Sequence, residues 1–355
     1  MPSHIHVGVC RALYVFDIGR SIDLALAESS LTEVRRTTFQ HKSQVPTGEG
    51  PPPLRFALAA PEMTVGSYKT QSEVEVVLYG QGVIGLTWIL QFETTLDVLA
   101  DLSAQLYARA DFVENSRGLA DQVAASIEAA IDRPSSTGLV EDYVIFQVQP
   151  VEDPQAFHRT MRAELAQLLR AESSELAEQE INDATSHPVS YEVSDLCLVD
   201  WLAAFLMGTD TEDERLVLEF AIVELMLLRV LDTNLDQGIE QAYELLSRPR
   251  NILKSLMGQG RELEQIARMQ ADEALLHEGI DNALKLFGDD YLARLHRTSA
   301  KRFHFEDWDR SIQRKLGVLQ SIYSSLSDVA AHGRAEGLEW IIIILIAIDI
   351  AIYLI

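Results

Sequence analysis

The sequence predicts an α+β protein that begins with a mixed region containing antiparallel hairpins and continues as a mainly helical chain. Stretches rich in β-branched and aromatic residues predict strands at residues 6–16, 74–79 and 83–92. From Pro154 onward, apolar residues recur with helical spacing instead. The chain closes with LEWIIIILIAIDIAIYLI at residues 338–355, a segment with no polar stripe along a helix.

These patterns divide the chain into four predicted segments. We expect a mixed α+β domain at 1–150, a mostly helical region with a strand pair at 151–250, a helical, coiled-coil-like stalk at 251–337 and a transmembrane helix at 338–355. A chain of 355 residues is long enough to form two domains with cores of their own.

Shorter elements fill the first region. Ser21 is expected to cap a helix that ends near Ser29, and the turn-rich stretch QVPTGEGPPP at 44–53 predicts a loop. The remaining predicted strands are 33–39, 54–58, 63–68 and 143–148, and the predicted helices are 96–109 and 118–133.

Gly80, Gly82 and Gly85 form a G-x-G-x-x-G pattern directly after a predicted strand. A dinucleotide site requires a helix to begin there, so that its N-terminus faces the pyrophosphate. The sequence VIGLTWILQF follows instead, and it is β-branched and aromatic. The pattern therefore predicts a β-hairpin with Gly-Gln-Gly at its tip.

The second half is predicted to contain long helices. Thr211 is expected to cap a helix that continues to about residue 246, and one helix is predicted from Glu306 to the end of the chain. Apolar residues of this last helix alternate at spacings of four and three, as in a coiled-coil seam: Ile312, Leu316, Leu319, Tyr323, Leu326, Ala330 and Gly333. The other predicted elements are helices at 156–170, 175–184, 253–287 and 290–299, and strand-like segments at 189–193 and 196–207.

The apolar tail predicts a C-terminal membrane anchor. As a helix, Trp340 to Ile355 would span roughly 24 Å, which is short of a bilayer core of about 30 Å. Trp340 and Tyr353 stand near the two ends, where aromatic rings favour the interfaces, and Asp349 lies within the segment. We expect a single-pass protein with its N-terminal bulk in the cytoplasm, at the plasma membrane in a bacterium. The alternative is a soluble homo-oligomer closed by buried C-terminal helices.

The formal net charge of −25 disfavours direct binding of nucleic acid and favours basic protein partners. The sequence contains two cysteines, Cys10 and Cys197, which are too few for a disulfide framework. His4, His6 and Cys10 are loosely spaced and belong to no zinc motif, so we expect no metal site and no cofactor.

Four charged residues interrupt an apolar helix and form a candidate polar cluster: Glu224, Arg229, Asp232 and Asp236. Neighbours three or four residues apart on a helix can pair, and paired carboxylates can bind a cation or exchange protons. The alternative is a set of buried ion pairs that orient the helix. No nucleophile accompanies these residues, and we therefore expect no enzyme.

Three stretches resemble the "required for meiotic nuclear division" family. The first is R-x-E-x-LEWIIIILIAIDI at 334–350, in which Asp349 takes the place of an acidic residue of the family. The second is the helix with Glu224, Arg229 and Asp232, and the third is Tyr79–Gly80 of the hairpin. The resemblance begins at about residue 54.

This resemblance implies a membrane protein with a C-terminal span that acts as an oligomeric anchor and supports translation. It carries over no catalytic residue. The resulting hypothesis is a non-enzymatic, homo-oligomeric scaffold or tether at the membrane, with translation or membrane organisation as the process it serves. Its rival is a ligand-binding or enzymatic domain that uses the polar cluster of helix 211–247.

Overall fold

A computed structural model describes residues 5–31, 52–247 and 289–325. The chain divides into two compact units, one made of Met1–Val230 and Ile280–Glu306, the other of Leu231–Gly279 and Asp307–Ile355. These limits differ from the four predicted segments. Strands on both sides of residue 150 pair within one sheet, and this pairing joins the first two segments.

The first unit is built on a mixed seven-stranded sheet. The strands of the described residues are β1 (His6–Asp17), β2 (Gly19–Ile22), β3 (Leu54–Ala59), β4 (Thr64–Val65), β5 (Tyr68–Lys69), β6 (Glu73–Tyr79), β7 (Val83–Thr94), β8 (Ile131–Pro134), β9 (Glu141–Val148), β10 (Leu196–Val199) and β11 (Ala203–Met207). The main sheet has the order β10-β11-β9-β1-β7-β6-β3, and only β11 and β9 pair in parallel. Strands β2 and β8, and strands β4 and β5, form two small separate sheets.

Strand β1 is the centre of the sheet. It pairs antiparallel with β7 from His6 opposite Thr94 to Asp17 opposite Val83, and with β9 on its other side. Its residues are buried on both faces from Ala12 to Asp17, as expected of a strand covered by helices on both sides. The hairpin between β6 and β7 places Tyr79 opposite Val83. The predicted Gly-Gln-Gly hairpin is therefore confirmed.

The described residues also form helices. They are α1 (Leu24–Ser30), α2 (Leu96–Tyr107), α3 (Ala110–Ser126), α4 (Pro154–Thr160), α5 (Arg162–Arg170), α6 (Glu178–Thr185), α7 (Glu212–Ser247), α8 (Asp290–Arg302) and α9 (305–325), with a short 3-10 turn at Glu128–Ala130. The core on one side of the sheet contains buried residues of α2, α3 and α5 together with alternate residues of β1, such as Tyr14 and Phe16. Trp88 of β7 is fully buried there and donates a hydrogen bond from Nε1 to Ser116 Oγ of α3 at 2.8 Å.

Helix α7 covers part of the opposite face. Leu13, Val15 and Val77 alternate with the residues of the first core and are buried as well. Side chains of β3, β6 and β9 bond to α7 across this interface. Helix α7 begins in the first unit and continues into the second.

The α+β class is confirmed, and several elements differ at their ends. The helix predicted after Ser21 begins later, because Asp23 caps it by accepting hydrogen bonds from Ala25 N and Leu26 N, while residues 19–22 form β2. The predicted segment 189–193 contributes only a bridge at Val189 to Cys197. The predicted strand 33–39 and helix 253–287 lie outside the described residues.

The described part of the second unit consists of residues 231–247 of α7 and 307–325 of α9. Leu235 of α7 and two residues of the predicted seam, Ile312 and Leu319, are buried. Lys315 joins the two helices, since its Nζ lies 2.8 Å from Asp232 Oδ1 and 2.6 Å from Asp236 Oδ1.

The prediction of a tail-anchored, single-pass plasma-membrane protein is corrected. Among the described residues, no helix combines the length and the apolar character that crossing a membrane requires. Helix α7 has 36 residues and is long enough, but Arg215, Glu219, Glu224 and Arg229 interrupt its apolar run. Residues 338–355, where the anchor was predicted, lie outside the described residues, as do Trp340, Asp349 and Tyr353.

Candidate functional site

The four residues of the predicted polar cluster are divided among three partners. Glu224 Oε2 lies 2.9 Å from His296 Nε2 of α8, and both side chains are buried. Arg229 pairs with Glu141 at the start of β9. Asp232 and Asp236 belong to the second unit and share Lys315. The structure thus separates Glu224 and Arg229 from each other and from the two aspartates, which stay together on Lys315, and each of the three contacts ties α7 to another element.

A larger buried network surrounds Glu219, which stands on the sheet-facing side of α7. Its carboxylate lies 2.6 Å from Arg55 Nη2 of β3 and 2.7 Å from Arg215 Nη1, and it accepts a hydrogen bond from the Tyr79 hydroxyl of β6. Arg215 also pairs with Glu212 one turn earlier in α7. Glu219 and Arg215 are almost completely buried, so this network fixes α7 on the sheet.

The protonation states of this network are fixed by its geometry. Burial acts to raise the pKa of Glu219, but the guanidinium groups of Arg55 and Arg215 and the hydrogen bonds outweigh it and lower the pKa to about 2. Burial raises the pKa of the Tyr79 hydroxyl well above its ordinary value. Glu219 is therefore a permanent anion at neutral pH, which suits a structural role better than proton transfer.

Two other buried carboxylates have raised pKa values. Burial raises the pKa of Glu141 from its ordinary 4.5 to about 7, and Arg229 offsets part of this effect. Burial likewise raises the pKa of Asp200, which lies 3.0 Å from Arg302 Nε and 2.6 Å from Arg170 Nε. Asp200 thus links α5 to α8.

The described residues also form an acidic cavity in the first unit, with a volume of about 320 Å³. Three stretches that are distant in sequence line it, namely the turn before β10, the start of α7 with the loop preceding it, and the start of α8. The lining residues are Tyr191, Glu192, Ser194, Asp195, Gly208, Thr209, Asp210, Asp213, Glu214, Asp289, Tyr291 and Leu292. Six of these residues carry carboxylates, and none of them is a lysine or an arginine.

Several of these carboxylates hold the backbone that shapes the cavity. Asp195 accepts hydrogen bonds from the backbone amides of Tyr191 and Glu192 at 2.8–3.1 Å. Asp210 accepts one from the Glu212 amide at 3.2 Å. Asp289 caps α8 by accepting one from the Tyr291 amide at 2.7 Å.

One wall of the cavity joins α7 to α8. The Tyr291 hydroxyl donates a hydrogen bond to Glu214 Oε1 at 2.9 Å, and burial raises the pKa of Glu214. The rings of Tyr191 and Tyr291 lie 5.3 Å apart between centroids. Arg294 of α8 does not line the cavity; its Cζ lies 5.8 Å from the centre of the Tyr291 ring, and it donates a hydrogen bond to the Ser190 carbonyl at 3.1 Å.

Within the described part of the chain, no three or more His, Cys, Asp or Glu side chains are arranged to hold a metal ion. His6 is buried and packs edge-on against Phe157. Cys10 lies in the core, and burial raises the pKa of its thiol, which disfavours the thiolate that binds metals. His4 lies outside the described residues.

Sequence reasoning missed this cavity, although each lining stretch is visibly acidic. The stretches are YEVSD at 191–195, TDTEDE at 209–214 and the aspartate pair at 289–290. Each one alone is typical of a solvated turn or a helix start. The fold brings them together, because β10 and β11 are neighbours in the sheet and α8 packs near β10.

The fold and the cavity define an α+β protein with a charged helix–sheet interface and an acidic cavity at the edge of the sheet. The family model described as "Uncharacterized protein MJ0711, N-terminal domain" matches residues 7–214, and the chain belongs to this family. The match includes two of the three lining stretches and ends before Glu219 and α8.

The chain is similar to the uncharacterised protein MJ0711 of Methanocaldococcus jannaschii. The two are 24% identical over 218 residues, which are 61% of this chain and 66% of that protein. The matched stretch thus covers slightly less than two thirds of the relative. No solved structure matches the chain.

Proposed function

We propose that this protein is a non-enzymatic scaffold that binds a basic protein partner at the acidic cavity. The observation that carries the proposal is the convergence of six carboxylates on one cavity of about 320 Å³. A lysine or arginine side chain entering the cavity would meet opposite charge at close range. The formal net charge of −25 would also steer a basic partner towards the protein at long range.

The construction of the cavity walls supports binding rather than turnover. Asp195 and Asp289 hold backbone amides, and Glu214 holds the Tyr291 hydroxyl, so the cavity is largely preformed. A preformed site loses little conformational entropy when a partner binds. Ion pairs at Glu219 and Asp200 fix the helices that carry the cavity, so the first unit offers a firm platform.

The resemblance to the "required for meiotic nuclear division" family supports two further parts of the proposal. The scaffold would act as a homo-oligomer, and its basic partner would belong to the translation machinery. Its form would be the alternative that the apolar tail sequence left open, a soluble homo-oligomer closed by buried C-terminal helices. The rival site on α7 gains no support, because Glu224 and Arg229 pair with different elements.

Binding of a decalysine peptide to the full chain tests the proposal. Calorimetry would compare the wild type with the double variant Glu192→Gln, Asp213→Asn, which removes two cavity charges. The control is Glu175→Gln, Asp121→Asn, which removes two charges from exposed positions outside the cavity. We expect the cavity variant to bind on the order of tenfold more weakly, and the control to stay close to the wild type. Equal affinities in the two variants would show that net charge alone attracts the peptide, and the proposal would be wrong.

A further inference from the structure

The turn that lines one side of the cavity also exposes two large apolar side chains. Tyr191 is 69% exposed and Val193 is 86% exposed, the highest values among the large hydrophobic residues of the described chain. Tyr191 lines the cavity, and Val193 lies between the lining residues Glu192 and Ser194. An apolar pair at the mouth of a charged cavity is typical of a recognition surface.

This turn is held in place by specific hydrogen bonds. The Asp195 carboxylate accepts from the amides of Tyr191 and Glu192, and Ser190 Oγ donates to the Asp195 carbonyl at 3.1 Å. The Tyr191 ring also packs against Tyr291 of α8, with the two planes 52° apart. The exposed side chains are therefore presented on an ordered turn, which reduces the entropy that binding would cost.

We propose that Tyr191 and Val193 form an apolar anchor, and that the basic partner carries a bulky apolar side chain within about three residues of the lysine or arginine that enters the cavity. This inference rests on the function proposed above and defines the partner more narrowly. The partner is a basic, amphipathic protein segment whose apolar side chain is buried against the turn.

Charge selects this occupant over the others that an apolar patch could attract. Nucleic acid and anionic lipid carry the same sign of charge as the six carboxylates beside the anchor. A second copy of the chain, with its net charge of −25, would place like charge against the six carboxylates if it bound at this particular surface. A basic segment satisfies the carboxylates and covers the anchor at the same time.

Two peptides of equal length and charge, KKLKKLKK and KKAKKAKK, test the anchor on the full chain by calorimetry. The wild type should bind the leucine peptide on the order of tenfold more tightly than the alanine peptide. The Val193→Ser variant keeps the packing of Tyr191 on Tyr291, and the double variant Tyr191→Ser, Val193→Ser removes the whole anchor. We expect the ratio of the two affinities to fall in the Val193→Ser variant, with affinity for the alanine peptide retained there, and to reach one in the double variant.

The control is Leu26→Ser, which removes an exposed apolar side chain of α1 outside the cavity and should leave the preference unchanged. A wild type without a leucine preference, or a preference that survives in the double variant, would overturn the anchor. The proposed function fails separately. The proposed function would be wrong if the alanine peptide bound the variant Glu192→Gln, Asp213→Asn with the same affinity as it binds the wild type.

Discussion

At the residue scale, the buried Glu219 carboxylate has three polar partners, since it pairs with Arg55 and Arg215 and accepts a hydrogen bond from Tyr79. Replacing Glu219 by Gln leaves Arg55 and Arg215 partly uncompensated in a buried interface. We expect a loss of about 3 kcal/mol in the free energy of unfolding, measured by urea denaturation at pH 7. The matched control is Glu62→Gln, since Glu62 forms an exposed pair with Lys69 at 3.7 Å. This control should change stability by less than about 0.5 kcal/mol, and an equally small effect of Glu219→Gln would refute the structural role.

The effect of Glu219 should also depend on pH. Its pKa is lowered from 4.5 to about 2 in the folded protein, so its contribution is complete above pH 4.5 and is lost as the pH falls towards 2. The stability difference between the wild type and Glu219→Gln should therefore shrink over this range. Thermal unfolding at several pH values would measure it, and a constant difference would contradict the lowered pKa.

The contribution of Glu141 to stability should change with pH in the opposite direction. Its pKa is raised from 4.5 to about 7 by burial, so the folded protein holds this proton more tightly than the unfolded chain. Stability from this group is therefore greatest below pH 4.5 and declines as the pH rises through 7. Glu141→Gln should remove the decline, which thermal unfolding of both proteins from pH 4 to pH 8 would show. Parallel curves for the two proteins would exclude Glu141 as the source.

At the scale of elements, replacing two glycines by alanine should have opposite effects on stability. At one position the backbone requires glycine, and at the other glycine only weakens a helix. Gly82 in the β6–β7 hairpin has a φ of +82°, and a Cβ there would lie 1.9 Å from the Gly19 carbonyl oxygen. Gly82→Ala should destabilise the protein by about 2 kcal/mol or more. Gly118 lies within α3, where an added Cβ meets no atom within 4 Å, so Gly118→Ala should stabilise by about 0.5–1 kcal/mol. Chemical denaturation of both variants tests the pair, and the same sign of change in both would contradict it.

The hairpin also shows what the sequence could predict. The turn from Tyr79 to Val83 was predictable from the local sequence, because the glycines that permit the tight turn adjoin the two strands that it connects. Helix α7 was predictable for the same reason, from its capping residue and its apolar spacing. The start of α1 was missed because Ser21 and Asp23 are both good caps, and the pairing of Ser21 with Asp132 in β8 decides between them.

The cavity and the ion pairs depend on contacts between residues that are far apart in the sequence, and the spacing of residues along the chain does not predict such contacts. Glu219 meets Arg55, which is 164 residues away, and Glu224 meets His296, which is 72 residues away. A single sequence shows that these residues are charged within an apolar helix, but it does not show which strand or helix supplies the opposite charge. Arg229 and Asp232, which are close enough along α7 to pair, therefore bind Glu141 and Lys315, whereas Asp232 and Asp236 share Lys315.

At the scale of the whole molecule, the family match and the folded unit have different ends. The match stops at residue 214, two residues after α7 begins. The first unit continues to Val230 and resumes with Ile280–Glu306. Residues 215–230 supply Arg215 and Glu219 to the sheet, and α8 supplies His296 to Glu224 and Arg302 to Asp200. The residues outside the match thus complete the core of the unit.

A comparison of two truncated chains tests this dependence. A chain that ends at residue 214 lacks Glu219, which accepts the hydrogen bond from the Tyr79 hydroxyl and pairs with Arg55. It also lacks the buried apolar residues Leu218 and Ile222. We expect it to lack a cooperative unfolding transition in urea, because one face of the sheet loses its cover. A chain that ends at Glu306 keeps every element of the first unit and should unfold cooperatively. Cooperative unfolding of the shorter chain at the same midpoint would show that residues 7–214 fold independently, and that α7 and α8 are additions to a complete domain.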